Sequence, residues 1–321
     1  MKTELVQIEA AEIFRSLTME ACVPLMADTL KNLSAGGTFQ PPRSVHVLPG
    51  GGLFGFMPAY LGPDDYFGAK VVTGFHSNQG TEYPSHMGSV LLFDSKYGAL
   101  RAMAEAGAVT QIRTGAVSGA ATGLLARRDA SSLALIGAGA QARSHLAAMC
   151  LVRPIKRVTV WDYYPQAAEA LAKEIRETRG LEASACLTVE DTAKDADIVC
   201  TVSLCKEPVL YARHVKPGAH INAVGAFTPT TREVASDLVA ASKLYADSRE
   251  AMLRECGEYL VPKAEGLLND SHIRGEIGEI LLGRCPGREN DSEITLFDAL
   301  GLASEDVACA KYVYLKKLGR L

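Results

Sequence analysis

The sequence predicts an α/β protein, in which a doubly wound parallel sheet is joined to an α+β domain closed by the C-terminal helix. Three observations predict it. Residues 131–224 alternate apolar, β-prone runs with helical segments, the pattern of strands linked by crossover helices. Within them, Ser132-Leu133-Ala134-Leu135-Ile136 runs straight into a glycine turn that opens a helix. Residues 41–94, by contrast, hold short β runs separated by glycine and proline, the mark of a meander. At 321 residues the chain is long enough for two sizeable cores. The change of pattern puts the α+β domain at 1–118 with 300–321, and the parallel sheet at 119–299.

The glycine turn reads Gly137-Ala138-Gly139-Ala140-Gln141-Ala142. Gly137 permits the tight turn, Gly139 lets backbone approach a pyrophosphate, and Ala142 allows the helix to pack on the strand. First-turn amides of that helix, from Ala140 and Gln141 onward, then face the phosphates, where the helix dipole favours negative charge. This is a Rossmann-type site. Arg157-Val-Thr-Val-Trp161 forms the next strand and ends at Asp162, 20 residues beyond Ala142, the position of the acid that binds the adenosine ribose. An acid there repels a 2′-phosphate, so NAD(H) is favoured and NADP(H) stays open. The alternative is that Asp162 is a turn residue before Tyr163-Tyr164-Pro165.

From the start of the chain, Thr18 is placed as an N-cap. Cys22, Leu25, Met26, Leu30 and Leu33 follow at helical spacing until Gly36-Gly37, with Pro24 deep enough to kink the helix. Strand signals occupy 44–48, 53–57, 67–75 and 88–93. Residues 98–128, rich in alanine and small side chains, read as helices. The alternating unit then runs strand 133–136, helix from Gln141, strand 157–161, helix 165–179, and a run near 183–187. A helix signalled by Thr188-x-x-Asp191 comes next, then strands 197–202 and 219–224. Pro165 and Gly180 bracket their helix in the expected order. Another strand signal lies at 243–247, and Ser304–Lys317 reads as a helix reaching back to the first domain.

Composition excludes several roles. Apolar residues at 48% and charged residues at 22% are ordinary for a globular chain. A net charge of −4 without a Lys/Arg cluster argues against a nucleic-acid surface. Met1-Lys2-Thr3-Glu4-Leu5 lacks a signal peptide's n- and h-regions, and no stretch is long and apolar enough to span a bilayer. The eight cysteines include no C-x-x-C pair and read as free thiols in a reducing cytoplasm. The seven histidines lack ligand spacing, so no metal is expected.

Isolated basic residues in apolar company are the candidates for chemistry. Lys70, in Phe67-Gly68-Ala69-Lys70-Val71-Val72, either faces a cleft, where it can polarise an imine and carry a proton, or simply faces water. Arg43 and Arg113 suit a bidentate grip on a carboxylate, or else are surface charges or structural ion pairs. His86 is a possible acid but more simply a turn histidine. Asp298 is read as a helix cap rather than a site residue.

In order along the chain stand Phe56-Met57-Pro58-Ala59-Tyr60, Lys70-Val71-Val72, Ser85-His86-Met87-Gly88 and Gln111-Ile112-Arg113-Thr114-Gly115-Ala116. The glycine turn follows, then Ile221-Asn222-Ala223-Val224-Gly225-Ala226 and Phe297-Asp298-Ala299-Leu300-Gly301. With these the chain resembles the ornithine cyclodeaminase and mu-crystallin family over nearly its whole length. The resemblance implies a homodimer, with Lys70 as the catalytic lysine at the substrate's C–N bond and Arg43 and Arg113 on its carboxylate. Thr114 would touch the cofactor phosphates, and the cofactor set becomes Thr114, Gly137, Gly139, Ala140, Gln141, Asp162, Thr201 and Val224.

Two departures from the family pattern narrow the activity. Cyclodeaminases and the family's alanine dehydrogenases carry an amine-binding aspartate two residues after the glycine of Asn-Ala-x-Gly. Phe227 stands there, as a substrate-pocket residue that cannot pair with an ammonium. The cyclodeaminase glutamate three residues before the Met-Pro proline is replaced by Gly55. The chain therefore resembles the family's ketimine reductases, which reduce Δ1-pyrroline-2-carboxylate or Δ1-piperideine-2-carboxylate to L-proline or L-pipecolate. The alternatives are an NAD-dependent cyclodeaminase or amino-acid dehydrogenase, and a binding protein without turnover.

Overall fold

The computed structural model describes residues 5–63, 65–78 and 80–321, leaving aside the His76 side chain. Met1–Glu4, where no signal peptide was expected, lie outside the described residues. The chain divides into two units, Met1–Arg113 with Gly301–Leu321, and Thr114–Leu300.

In the first unit β1 (Val6–Ile8), α1 (Ala10–Ser16) and α2 (Met19–Ser34) precede a run of strands. These are β2 (Ser44–Val47), β3 (Leu53–Tyr60), β4 (Tyr66–Gly74), β5 (His86–Asp94) and β6 (Leu100–Glu105). The described residues form one six-stranded sheet in the order β1-β6-β5-β4-β3-β2, antiparallel except that β1 runs parallel to β6. The meander is as expected, but Leu100–Glu105 is a strand, not helix. Its alternation is hidden because Ala102 and Ala104, small enough to read as helical, are the residues that face the core. Thr18 occupies the N-cap of α2 without a side-chain cap bond, and Pro24 lies inside that helix.

Register sorts the sheet into two faces. Met57, Lys70, Val90 and Ala104 are paired in one row and buried. Helix α11 (Ala303–Lys317) packs on this face and on α2. The opposite face carries Phe54, Phe56, Val71 and Met87, of which Phe54 (38%), Phe56 (42%) and Met87 (37%) remain exposed. Cys22 of α2 and Cys309 of α11 bring their sulfurs within 3.8 Å as free thiols.

Helix α3 (Ala106–Leu125) spans the division between the units, and the second unit is an all-parallel sheet. Its elements are β7 (Ser132–Ile136), α4 (Ala140–Val152), β8 (Arg157–Trp161), α5 (Pro165–Arg179), β9 (Glu182–Ala185), α6 (Val189–Ala193), β10 (Ile198–Thr201) and β11 (His220–Ala223). They continue through α7 (Ser236–Ala241), β12 (Lys243–Ala246), α8 (Arg249–Glu255), α9 (Gly257–Ala264), β13 (Ile273–Glu276), α10 (Ile277–Leu281) and β14 (Thr295–Asp298). The strand order is β13-β12-β14-β11-β10-β7-β8-β9. The chain winds outward from β7 through β8 and β9, then returns to β10 on the other side. The switch point therefore lies between β7 and β10. All five residues of β7 are buried, as a strand covered on both faces requires. Helix ends follow the sequence signals: Pro165 at the first turn of α5, Gly180 left-handed at φ 64° after it, and the Thr188 side chain accepting from Asp191 N.

Helices α3 and α4 are joined by a buried histidine. His145 Nδ1 donates to the Gln141 carbonyl at 2.8 Å, leaving Nε2 to accept from Ser118 Oγ at 2.9 Å. Burial lowers its pKa to about 4. Above the ordinary imidazole value of 6.5 both folded and unfolded forms are neutral. Between 6.5 and 4 only the unfolded chain takes the proton, so stability falls as pH falls, by on the order of 3 kcal/mol. In His145→Gln the drop in urea-unfolding free energy between pH 7 and pH 4 is expected to be smaller than in wild type. An identical drop in both proteins would refute the assignment.

Candidate active site

Lys70 lies on β4 and points to the face that α11 covers. Its Nζ is 2.6 Å from Asp306 Oδ2 and 3.5 Å from Thr110 Oγ1. Arg113 of α3 donates from Nε to Asp306 Oδ1 at 3.1 Å and from Nη1 to Glu305 Oε2 at 2.8 Å. Asp306 thus bridges the two cations, one through each oxygen. Lys70 and Arg113 are each 5% exposed and the two acids fully buried, so four charges of balanced sign are held away from water. Burial lowers the Lys70 pKa, and Asp306 opposes the shift. For Arg113, burial is outweighed by Asp306 and Glu305, and its pKa rises.

The turn before α11 is shaped around this cluster. Gly301 has φ +78°, and a Cβ there would fall 2.7 Å from Arg113 Nη1. Arg43 precedes β2, two strands from β4 in the sheet. His86 begins β5, exposed, with Ser85 Oγ 3.1 Å from its Nδ1. A Cβ on Gly55 would meet Val72 Cγ2 at 2.9 Å, so a side chain there would have to displace Val72.

In the second unit the glycine turn has the expected form. Gly137 takes φ +112°, and a Cβ there would lie 2.7 Å from the Val202 carbonyl, so the turn sits directly against the loop after β10. Gly139 is the N-cap of α4, with nothing within 4 Å of a would-be Cβ and no side chain capping the helix. Gly139 and Ala140 are exposed, so the start of α4 lies at the surface of the unit. Asp162 at the end of β8 ties the turn down: Oδ2 accepts from Ala138 N at 2.8 Å and Oδ1 from Tyr164 N at 2.9 Å. Each oxygen keeps a lone pair for a hydroxyl. Thr201 ends β10 and Val224 follows β11, joined by Val224 N donating to Thr201 O at 3.1 Å, with the Thr201 side chain fully enclosed. Thr114 is buried in α3, and Phe227 is half exposed (52%) on the loop after β11.

Sequence reasoning missed both acids of the lysine cluster and a second buried group of acids. Asp298 caps no helix: α11 has Leu302 at its N-cap, and Asp298 ends β14 with neither carboxylate oxygen partnered. Cys256, Glu258 and Asp298 each bring one potential ligand atom within 4.8 Å of the others. Burial and neighbouring acids raise Asp298 well above the carboxylate range. Burial likewise lifts Glu258 to about 7.

A Rossmann-type sheet with its glycine turn, and a separate domain holding a buried lysine, define a dinucleotide-fold protein with an enclosed ammonium in its other domain. The chain belongs to the ornithine cyclodeaminase/mu-crystallin family, whose model matches residues 3–320. It is 38% identical over 296 residues to ketimine reductase mu-crystallin of Mus musculus, covering 91% of this chain and 90% of that one. It is 36% identical over 315 residues to a Delta(1)-pyrroline-2-carboxylate reductase of Bacillus cereus, covering 98% and 97%. The structure of the Thermococcus litoralis Delta(1)-pyrroline-2-carboxylate reductase in complex with NADH and L-proline superposes with a TM-score of 0.93 at 35% identity, covering 98% of each chain.

Asp306→Ala would leave two enclosed cations facing one carboxylate. Its unfolding free energy, read from urea titration, is expected to fall by about 3–5 kcal/mol, the loss typical when one partner of a buried pair is removed. A change under about 1 kcal/mol, the scale of an exposed pair, would mean that water reaches the cluster.

Proposed function

We propose that the protein is a nicotinamide-dependent reductase of cyclic ketimines, converting Δ1-pyrroline-2-carboxylate or Δ1-piperideine-2-carboxylate to L-proline or L-pipecolate. The observation that carries this is the enclosed Lys70–Asp306–Arg113 cluster in a chain that lacks both amine-binding carboxylates. Phe227 stands at one position and Gly55 at the other, where an added side chain would press on Val72. A ketimine already holds its C=N bond and requires neither. The similarity to pyrroline-carboxylate and ketimine reductases supports the same substrate class.

Gly137, Gly139, Ala140 and Gln141 would hold the cofactor's pyrophosphate, and Asp162 its adenosine ribose, with Thr114, Thr201 and Val224 as further contacts. The uncapped α4 terminus and the open space at Gly139 fit that group. When bound, a reduced nicotinamide supplies the hydride that reaches the imine carbon. Arg113, fixed by its two acids, and Arg43 orient the substrate carboxylate. Lys70 gives a proton to the ring nitrogen as the C=N bond becomes C–N, and the neutral amine stays hydrogen-bonded beside Asp306 and Thr110 until solvent restores its proton. Asp162, anchored by two backbone amides, favours NADH because a 2′-phosphate would meet its charge.

We place the reductase in the cytoplasm, in keeping with eight free cysteines. No described helix is long and apolar enough to cross a membrane. A second copy of the chain is proposed to cover the outer sheet face that carries Phe54, Phe56 and Met87, making a homodimer. Phe54→Glu with Phe56→Glu should then elute as a monomer in light-scattering chromatography; an unchanged dimer would put the interface elsewhere.

The activity is tested by mixing protein with either imine and NADH or NADPH, and following the reduced nicotinamide's absorbance. Consumption of NADH is expected. Lys70→Ala should lower kcat by roughly 10²–10⁴-fold while still binding NADH. Wild-type kcat should fall at alkaline pH, with a midpoint below the ordinary lysine value of 10.5, because burial lowers the Lys70 pKa. No consumption with either imine, together with ammonia release from ornithine and NAD, would overturn the proposal.

A further inference from the structure

Glu233, in the segment between β11 and α7, is fully buried and has no cationic partner among the described residues. Its Oε1 accepts from Ser203 N at 2.7 Å and Ser203 Oγ at 2.5 Å, and its Oε2 accepts from Gly225 N at 2.6 Å. Ser203 lies two residues beyond β10 and Gly225 two beyond β11. One carboxylate therefore ties together the loops leaving two adjacent strands. The first of these loops is the one that touches Gly137 across the switch point, where open α/β sheets bind their ligands. The second carries Phe227.

The donor pattern requires a carboxylate. All three partners donate, so both oxygens must accept, and a glutamine would turn its amide N–H toward another donor. Behind Glu233, its own N–H donates to Glu258 Oε1 at 2.8 Å, and Asp298 follows with both oxygens unpartnered. A stack of three enclosed acids adds little to stability, since apolar side chains of similar volume would serve a core as well or better. What it adds is a side-chain tie at Ser203 and Gly225, the strand-proximal ends of two loops whose farther parts are already joined by backbone, where Leu210 bridges Val234 and Val209 N and Leu210 N donate to Glu233 O at 2.9 and 3.0 Å.

We propose that Glu233 is a positioning residue for the nicotinamide end of the bound dinucleotide, holding the loops at Ser203 and Gly225 in the arrangement that aligns the ring for hydride transfer. The inference rests on the reductase reading above. It assigns Glu233 to the half of the crevice on the β10 and β11 side of the switch point. The turn at Gly137 and Asp162 serves the other half.

The test separates the two halves of the cofactor. In Glu233→Gln the dissociation constant for NADH, followed by its fluorescence, is expected to rise roughly tenfold, the scale of one lost charge-assisted hydrogen bond. That for ADP-ribose, which lacks the nicotinamide, should stay within about twofold. Misalignment should also lower kcat by on the order of 10²-fold and raise the isotope effect with 4-deuterated NADH. Ser203→Ala, which keeps the carboxylate and loses one donor, should move each quantity in the same direction by less, and it supplies the answer if Glu233→Gln does not fold. Equal weakening of NADH and ADP-ribose, or wild-type values for both with an unchanged isotope effect, would overturn the proposal. A wild-type protein that binds ADP-ribose and NADH but reduces neither imine would overturn the reductase reading instead. Binding of neither dinucleotide would remove both.

Discussion

The first unit depends on one carboxylate. Asp306 stands between Lys70 and Arg113 with an oxygen for each, and Glu305 completes the charge balance. An enclosed ammonium or guanidinium without a counter-charge is expensive enough that the chain would neutralise it or unfold around it. The cluster is tolerable only while α11 lies on the inner face of the sheet. That demand explains why the last twenty-one residues belong with the first domain and not with the sheet they follow. It also explains the left-handed turn at Gly301, where any side chain would strike the arginine. Chemistry and architecture are thus coupled: the group that keeps Lys70 charged in an apolar place is the group that docks the closing helix.

Such a cluster would suit the imine reduction proposed above. Burial lowers the lysine's pKa and makes its proton easier to give, while Asp306 keeps that proton present before the reaction. The two effects pull in opposite directions and leave the ammonium better matched to a weakly basic nitrogen than a lysine in water would be. Arg113 has the opposite balance. Its acids outweigh burial, so it stays a permanent cation.

The parts of this protein legible in the sequence are those governed by local rules. Strand 132–136 and its glycine turn, Pro165 and Gly180 around α5, and Thr188 before α6 each depend on residues within a few positions of one another. They appear where the pattern puts them. Leu100–Glu105 was misread because alanines satisfy a helix and a tightly covered strand equally well. Lys70 and Arg113 could be singled out as cations in apolar company. Their partner could not, because Asp306 is 193 residues from Arg113 and looks like an ordinary acid in the first turn of a helix. Asp298 reads as a cap because an acid shortly before a helix usually is one. Only the path of β14 shows it enclosed beside Cys256 and Glu258.

Two buried aspartates at opposite ends of the parallel sheet show where stability and function separate. Asp197, before β10, accepts from Ser131 N, Ser132 N and Ser132 Oγ and pairs with Arg127 and Lys216. Burial works against its charge, but these partners outweigh it and hold its pKa far below the carboxylate range. It is a finished structural anchor. Asp298, at the carboxyl end of β14, has no hydrogen-bond partner and keeps its proton to far higher pH. At the carboxyl ends of the strands it stands behind Glu258 and Glu233. Burial raises the pKa of Glu233 as well, and the donors at Ser203 and Gly225 oppose that shift by favouring the charged form that grips both loops. Full satisfaction at one end and deliberate deficit at the other follow the polarity of a sheet that is built from one end and binds at the other.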